Sequence, residues 1–198
     1  MADKVKEAIL SAGAEAFAQY GYDKTTVEDI ARLAHKAKTS VYYYFNGKAD
    51  IFRNVLTAEF GKLMDELEPV RKLPENYNPV NLRNYLKKRM ELITSSPLFM
   101  RFAPAEYNIV SSSYGTSILE ARAEFDNWEK SYFRELCAYG RKLGILNSGI
   151  SPDAFADMLE MLLKGVEAQF TVTKDKAASR TTYSEMVDYL IRCNENNE

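Results

Sequence analysis

Between Thr26 and Lys48 the chain reads TVEDIARLAHKAKTSVYYYFNGK, and cations, hydroxyls and exposed-type aromatics recur there at short spacing. At helical spacing Thr39, Tyr42 and Tyr43 share the face opposite Val41 and Phe45, with Lys38 and Ser40 beside them and Lys36 and Lys48 flanking. Ammonium and hydroxyl groups in such an array suit phosphate oxygens, and side chains at the start of a recognition helix are the first to reach base edges. The chemistry on offer is recognition of double-stranded DNA. Lys48, Tyr42 and Tyr43 are expected mainly on phosphates and Lys38 and Thr39 nearest the bases, with Thr26, Lys36 and Ser40 completing the candidate surface. Two tyrosines on an outward face are costly in water unless they are used. From Ile30 to Ala49 the chain carries Arg32, Lys36, Lys38 and Lys48 and no acid, so the local field is positive although the net charge is -2.

Other chemistries find little material. The single histidine, His35, falls on an expected turn, which leaves Cys137 without a base to activate it. Acid pairs such as Glu120 and Glu124 have the i, i+4 spacing of a solvated helix face, and no glycine-rich phosphate loop occurs. Cys137 and Cys193 belong to no metal-ligand cluster and are expected to be reduced, packed thiols. No enzyme activity, metal or cofactor is expected.

The elements that position the candidate surface are helices. Thr26 as N-cap with Asp29 three residues on approaches a capping box, and Val27, Ile30, Ala31 and Ala34 repeat at helical spacing. His35-Lys36-Ala37 then makes a tight turn into a second helix over about 38–44. A first helix over about 3–20 supplies Val5, Ile9, Ala12, Ala16 and Phe17 to cover the inner face of this pair, and Gly21 ends it. Asn46-Gly47 breaks the chain before a long connector helix that runs from Lys48 to about Glu68, ahead of Pro69.

These residues resemble the DNA-binding domain of the TetR/AcrR repressors: Thr26-Val27-Glu28-Asp29-Ile30-Ala31, then Lys38-Thr39-Ser40-Val41-Tyr42-Tyr43-Tyr44-Phe45, then Lys48 before Ile51-Phe52. The likeness covers about the first 60 residues. It departs at His35, where that family has Gly, and at Lys36, where it has a small aliphatic residue; His35 is expected to take a positive φ and Lys36 to point outward. The resemblance implies a ligand-binding and dimerisation domain beyond the head.

The expected fold is therefore all-α: an N-terminal three-helix helix-turn-helix head, residues 1–47, joined by the connector to a helical ligand-binding and dimerisation domain, residues 48–198. In that second part a proline-rich loop at 69–79 precedes a helix bearing Leu82, Tyr85, Leu86, Met90 and Ile93, and a short helix carries Phe99 and Phe102. A long helix over about 116–143 is expected to bury Leu119, Ala123, Trp128, Phe133, Leu136 and Tyr139. Ser151-Pro152-Asp153 starts the next helix, to about Val172, and the last is expected over Thr182 to Cys193 with Thr182 as cap.

The 151–172 helix has two apolar stripes, where one core face needs only one. Phe155, Leu159, Leu162, Val166 and Phe170 form the first; Ala154, Met158, Met161, Gly165, Ala168 and Val172 form the second, with Asp157, Glu160, Lys164, Glu167 and Thr171 as the polar remainder. The second stripe, joined by Met186 and Leu190, is expected to form a homodimer interface. Candidates for the wall of an effector pocket beside the connector are Phe60, Leu63, Phe99, Phe102, Tyr107, Trp128, Tyr132 and Met161.

The partners expected are a palindromic DNA operator, a second copy of the chain and a small apolar effector that releases the DNA. The alternative is a helical adaptor or small-molecule carrier without specific DNA binding, which the sequence pI of about 5.7 mildly favours. No stretch has the ~18 consecutive apolar residues of a membrane span, and the charged amphipathic N-terminus is unlike a signal peptide, so a cytoplasmic location is expected.

Overall fold

The computed structural model describes residues 2–71, 80–102, 114–146 and 149–194. The fold is all-α. Its helices are α1 (Ala2–Tyr20), α2 (Val27–Leu33), α3 (Lys38–Tyr44), α4 (Lys48–Arg71), α5 (Val80–Ser95), α6 (Pro97–Phe102), α7 (Gly115–Lys142), α8 (Pro152–Val172) and α9 (Lys176–Asn194). No described helix is long and apolar enough to cross a membrane.

Packing divides the chain into two compact units, Met1–Lys62 with Pro97–Glu124, and Leu63–Ser96 with Phe125–Glu198. The expected head, residues 1–47, lies wholly in the first unit but does not stand alone there. Ile9, Ala16 and Phe17 of α1 are buried with Val27 and Ile30 of α2, Val41 of α3 and Ile51, Phe52 and Val55 of α4. α1 packs on α6 as well as on α2. Phe52 makes edge-on ring contacts with Phe102 and Tyr114, at centroid distances of 4.8 and 5.7 Å. Phe60 meets Phe99 at 4.8 Å. Three helices this short cannot enclose a core by themselves, and the aromatic rings of α4 and α6 complete it.

In the second unit α5 packs on α8 and α9, and α8 on α9. Tyr85, Leu86, Ile93, Phe125, Phe133, Leu136, Phe155, Leu159, Leu163, Phe170, Val187 and Ile191 are buried there. At its centre the Arg89 guanidinium of α5 lies 2.5 Å from Glu129 of α7 and 2.6 Å from Glu167 of α8, all three side chains buried. Tyr85 donates its hydroxyl to Glu129 at 2.7 Å, and Tyr183 donates to the Leu86 carbonyl at 2.9 Å. Burial, followed by the Glu129 charge, pushes the Tyr85 phenol well above its ordinary range, so it stays a donor.

Several helix faces differ from the sequence reading. Glu167 is no part of an outer polar face but turns inward to Arg89. On α7 Leu119 and Ala123 are exposed, and Ile118, Ala121, Phe125 and Cys137 are buried instead. Met161, counted for both a pocket wall and a dimer face, is 69% exposed, which removes it from any enclosed wall within its own chain. α4 passes through Pro69 to Arg71, whose guanidinium donates to the Ser131 hydroxyl at 2.9 Å and lies 4.5 Å from the Trp128 ring centre. α9 begins at Lys176 rather than Thr182; Asp175 accepts the Ala178 N–H at 2.9 Å, and Thr182 stands exposed inside the helix. Tyr107 lies outside the described residues, as does the side chain of Cys193.

Candidate nucleic-acid interface

The site is built on two short helices fixed at their ends. Thr26 accepts the Asp29 N–H at 3.1 Å while the Asp29 carboxylate accepts the Thr26 N–H at 3.1 Å, a complete capping box that starts α2. The Thr26 hydroxyl also donates to Asp29 at 2.6 Å. Thr26, one of the candidate contact residues, thus spends its side chain on the helix start. Asp29 is held below the usual carboxylate range, first by the Thr26 hydroxyl and then by the Thr26 N–H. At the other end His35 has φ 52°, and the bonds from His35 N–H to Arg32 O and from Lys36 N–H to Ala31 O, 3.1 and 2.9 Å, close a Schellman turn. The positive φ expected at His35 is present, and Lys36 is exposed.

That turn aims α3. Val41 and Phe45 are buried beneath it, while Lys38, Thr39, Tyr42 and Tyr43 face solvent, Tyr43 with 81% of its surface exposed and Tyr42 with 50%. Ser40 is half-buried. Lys38 reaches two groups: Glu28 in an exposed ion pair, and the Tyr42 ring at 5.7 Å from its centre. The Glu28 hydrogen bond raises the Lys38 ammonium further above neutrality, and the same bond lowers Glu28. Arg32 is paired with Asp29 at 2.7 Å. Glu28 and Asp29 lie just upstream of the acid-free stretch and fold back against its cations, a cancellation that linear spacing does not display.

Lys48 opens α4 after the Asn46-Gly47 break, where Asp50 accepts the Asn46 N–H at 2.9 Å. Its ammonium does not extend freely. It donates to the Tyr22 carbonyl at 2.9 Å and sits 4.3 Å from the centre of the Tyr22 ring. Tyr22 was not among the sequence candidates; the available signal is an aromatic directly after the helix-ending Gly21, which places a ring beside the start of α4. Of the pocket candidates, Phe60, Phe99 and Phe102 belong to the first unit and Leu63, Trp128, Tyr132 and Met161 to the second. Two surface grooves of the second unit, of about 260 and 190 Å³, are lined elsewhere, by α8 and α9 around Phe170 and Tyr183 and by α5 and α9 around Met90 and Arg180.

The family model for bacterial regulatory proteins of the tetR family matches residues 9–55, the span of α1 to the first part of α4. Over residues 9–55 the chain thus matches the tetR family. Its relatives include the HTH-type transcriptional regulator RutR of Escherichia coli K12, 29% identical over 136 residues; the match covers 64% of this chain and spans 62% of RutR's length. The HTH-type transcriptional repressor DhaR of a Mycobacterium species is 23% identical over 173 residues, 87% of this chain and 85% of DhaR. Among solved tetR-like folds, the transcriptional regulator FadR from Bacillus subtilis in complex with stearoyl-CoA superposes with a TM-score of 0.73 over 93% of this chain and 96% of that one, at 20% identity.

Proposed function

We propose that this chain is a sequence-specific DNA-binding transcriptional regulator of the tetR family, acting as a homodimeric repressor that a small, largely apolar effector releases from its operator. The observation that carries the reading is the outer face of α3, where Lys38, Thr39, Tyr42 and Tyr43 are presented together while Val41 and Phe45 anchor the helix from behind. Thr39 and Lys38 meet base edges, the tyrosines, Lys36 and Lys48 meet phosphates, and Ser40 supports them from its half-buried position. Lys38 is pre-aimed by Glu28 and exchanges that exposed partner for DNA at little cost.

The second stripe of α8 favours the dimer. Met161 and Val172 are 69% and 71% exposed, Gly165 has open space around it, and Met158, Ala168, Met186 and Leu190 are half-exposed beside them. An apolar row of this kind is what a self-complementary two-fold interface covers. Two heads related by that axis read a palindrome, with half-sites about 34–36 Å apart. DhaR's description as a repressor and FadR's bound stearoyl-CoA support repression and a small-molecule effector here. α4, one uninterrupted helix from Lys48 to Arg71, is the element through which an effector alters the presentation of Lys48. The test is fluorescence anisotropy of duplex DNA against salt. Binding should fall steeply as salt rises, and Lys48→Ala should flatten the slope by about one unit. Salt-insensitive or absent binding refutes the reading.

A further inference from the structure

The α1–α2 turn is unusually crowded for a surface turn. Gly21 has φ 82°, a backbone conformation that strains any residue with a side chain, and a Cβ placed on it would stand a tight 3.2 Å from the Arg101 guanidinium of α6. Thr25, buried, donates its hydroxyl to the Gly21 carbonyl at 2.7 Å and closes the turn from within. Between these fixed points lies Tyr22. Its ring is held by Phe17 at 5.9 Å, by Phe52 of α4 at 5.0 Å and by Tyr114, at the start of α7, at 4.8 Å, and Tyr114 in turn meets Phe102 of α6 at 5.6 Å. Three rings thus pack directly on Tyr22, and Phe102 backs two of them. Lys48 lies over this ring and also donates to the Tyr22 backbone carbonyl.

We propose that Tyr22 is the positioning residue for Lys48: its ring and carbonyl hold the ammonium in place for a DNA phosphate, and the rings of Phe102 and Tyr114 set where that seat lies. The proposal rests on the DNA-binding reading of Lys48. A free lysine loses the freedom of several rotatable bonds on meeting a phosphate, whereas an ammonium already seated by one carbonyl and one ring retains donors for the anion and loses less. The seat attracts the cation through the ring quadrupole and carries no negative charge, so it does not compete with phosphate as a carboxylate would. It also ties Lys48 to residues outside α4: any rearrangement of Phe102 or Tyr114 moves the ring on which the cation rests.

The test uses the full chain and generic duplex DNA, comparing Tyr22→Leu, Tyr22→Phe, Lys48→Ala and the double variant Tyr22→Leu/Lys48→Ala by anisotropy at several salt concentrations, well below each protein's melting temperature. Tyr22→Leu should weaken binding about three- to tenfold in the parent background and have no further effect once Lys48 is gone, while Tyr22→Phe, which keeps ring and carbonyl, should bind like the parent. A merely structural Tyr22 would weaken both backgrounds equally, and that result overturns the proposal. If Tyr22→Leu does not fold, the unmodified protein still decides: the Lys48 side-chain methylene protons should show upfield ring-current shifts by NMR, both free and with DNA bound. Absence of those shifts, or their loss on DNA binding, overturns the proposal. A parent that binds DNA with the Lys48-dependent salt slope but shows no Tyr22 effect sinks this inference alone; a parent with no salt-dependent binding sinks the DNA-binding reading and this inference with it.

Discussion

In the first unit Lys38 meets Glu28 and Arg32 meets Asp29 in open solvent, whereas in the second Arg89 is wholly buried against Glu129 and Glu167. The chemistry of the pairs is the same and their energetics are not. An exposed pair is separated at little cost because water, salt or a phosphate replaces either partner. A buried pair cannot be opened without stranding a charge in a medium that solvates it poorly. The exposed charge on the head is therefore exchangeable, as the proposed DNA-binding surface requires, while the buried Arg89 cluster of the second unit locks α5, α7 and α8 together. Changes on the head should register in DNA binding first, and changes around Arg89 in stability first.

The largest test of that contrast is Arg89→Met. It leaves the Glu129 and Glu167 carboxylates without their buried cation, and stability to urea should fall by about 3–5 kcal/mol, while the salt slope of DNA binding at low denaturant stays that of the parent. A loss below about 1 kcal/mol would place Arg89 among the exchangeable pairs and dissolve the contrast. Next in size is Gly165→Arg, which probes the exposed apolar stripe of the second unit. A Cβ at residue 165 meets nothing within 4 Å, so the chain itself accommodates the arginine. Light scattering should report monomers with an unaltered helical spectrum. A persisting dimer would remove the α8 stripe from the interface.

What the sequence made legible follows from how far each signal reaches. The capping box at Thr26, the buried Val41 and Phe45 and the Ser151-Pro152 start of α8, where Ser151 accepts the Ala154 N–H at 3.1 Å, are encoded within four residues, and all appear as expected. Signals that depend on a distant partner do not read out locally. Glu167 repeats at polar spacing with Asp157, Glu160 and Lys164, and only Arg89 on another helix turns it inward. The run from Lys176 to Thr181 has too little apolar content to announce a helix, and Thr182 with Glu185 mimics a start that Asp175 provides earlier. Pro69 reads as a stop, yet α4 is in its last turn there, where little remains to be lost, and the Arg71 contacts with Ser131 and Trp128 hold the two residues beyond it. The seat of Lys48 was hidden for the same reason, since Tyr22 lies on another element.

A smaller effect separates scaffold from contact within the head itself. Thr26→Ala removes the side-chain acceptor for the Asp29 N–H and should cost about 1 kcal/mol of stability. Because the hydroxyl is already engaged by Asp29, DNA affinity below the melting transition should change less than for Thr39→Ala. Equal losses of affinity would make Thr26 a contact residue in its own right.

The smallest expected effect is a gain. His35 occupies the left-handed position of the Schellman turn, where a side chain crowds its own backbone at a cost of roughly 1–2 kcal/mol that glycine avoids. Glycine also widens the unfolded ensemble, which takes back about 0.4–1 kcal/mol. The net prediction for His35→Gly is a stabilisation of about 0.5–1 kcal/mol, read as a rise of roughly 1–3 °C in melting temperature. The two turn hydrogen bonds are backbone to backbone and survive the change, so the orientation of α3 and the salt slope of DNA binding should be those of the parent. Stabilisation together with weaker DNA binding would show that the His35 ring itself reaches the nucleic acid, extending the exchangeable surface from α3 back onto the turn. A lower melting temperature would show that the imidazole makes a contact worth more than the strain of its backbone.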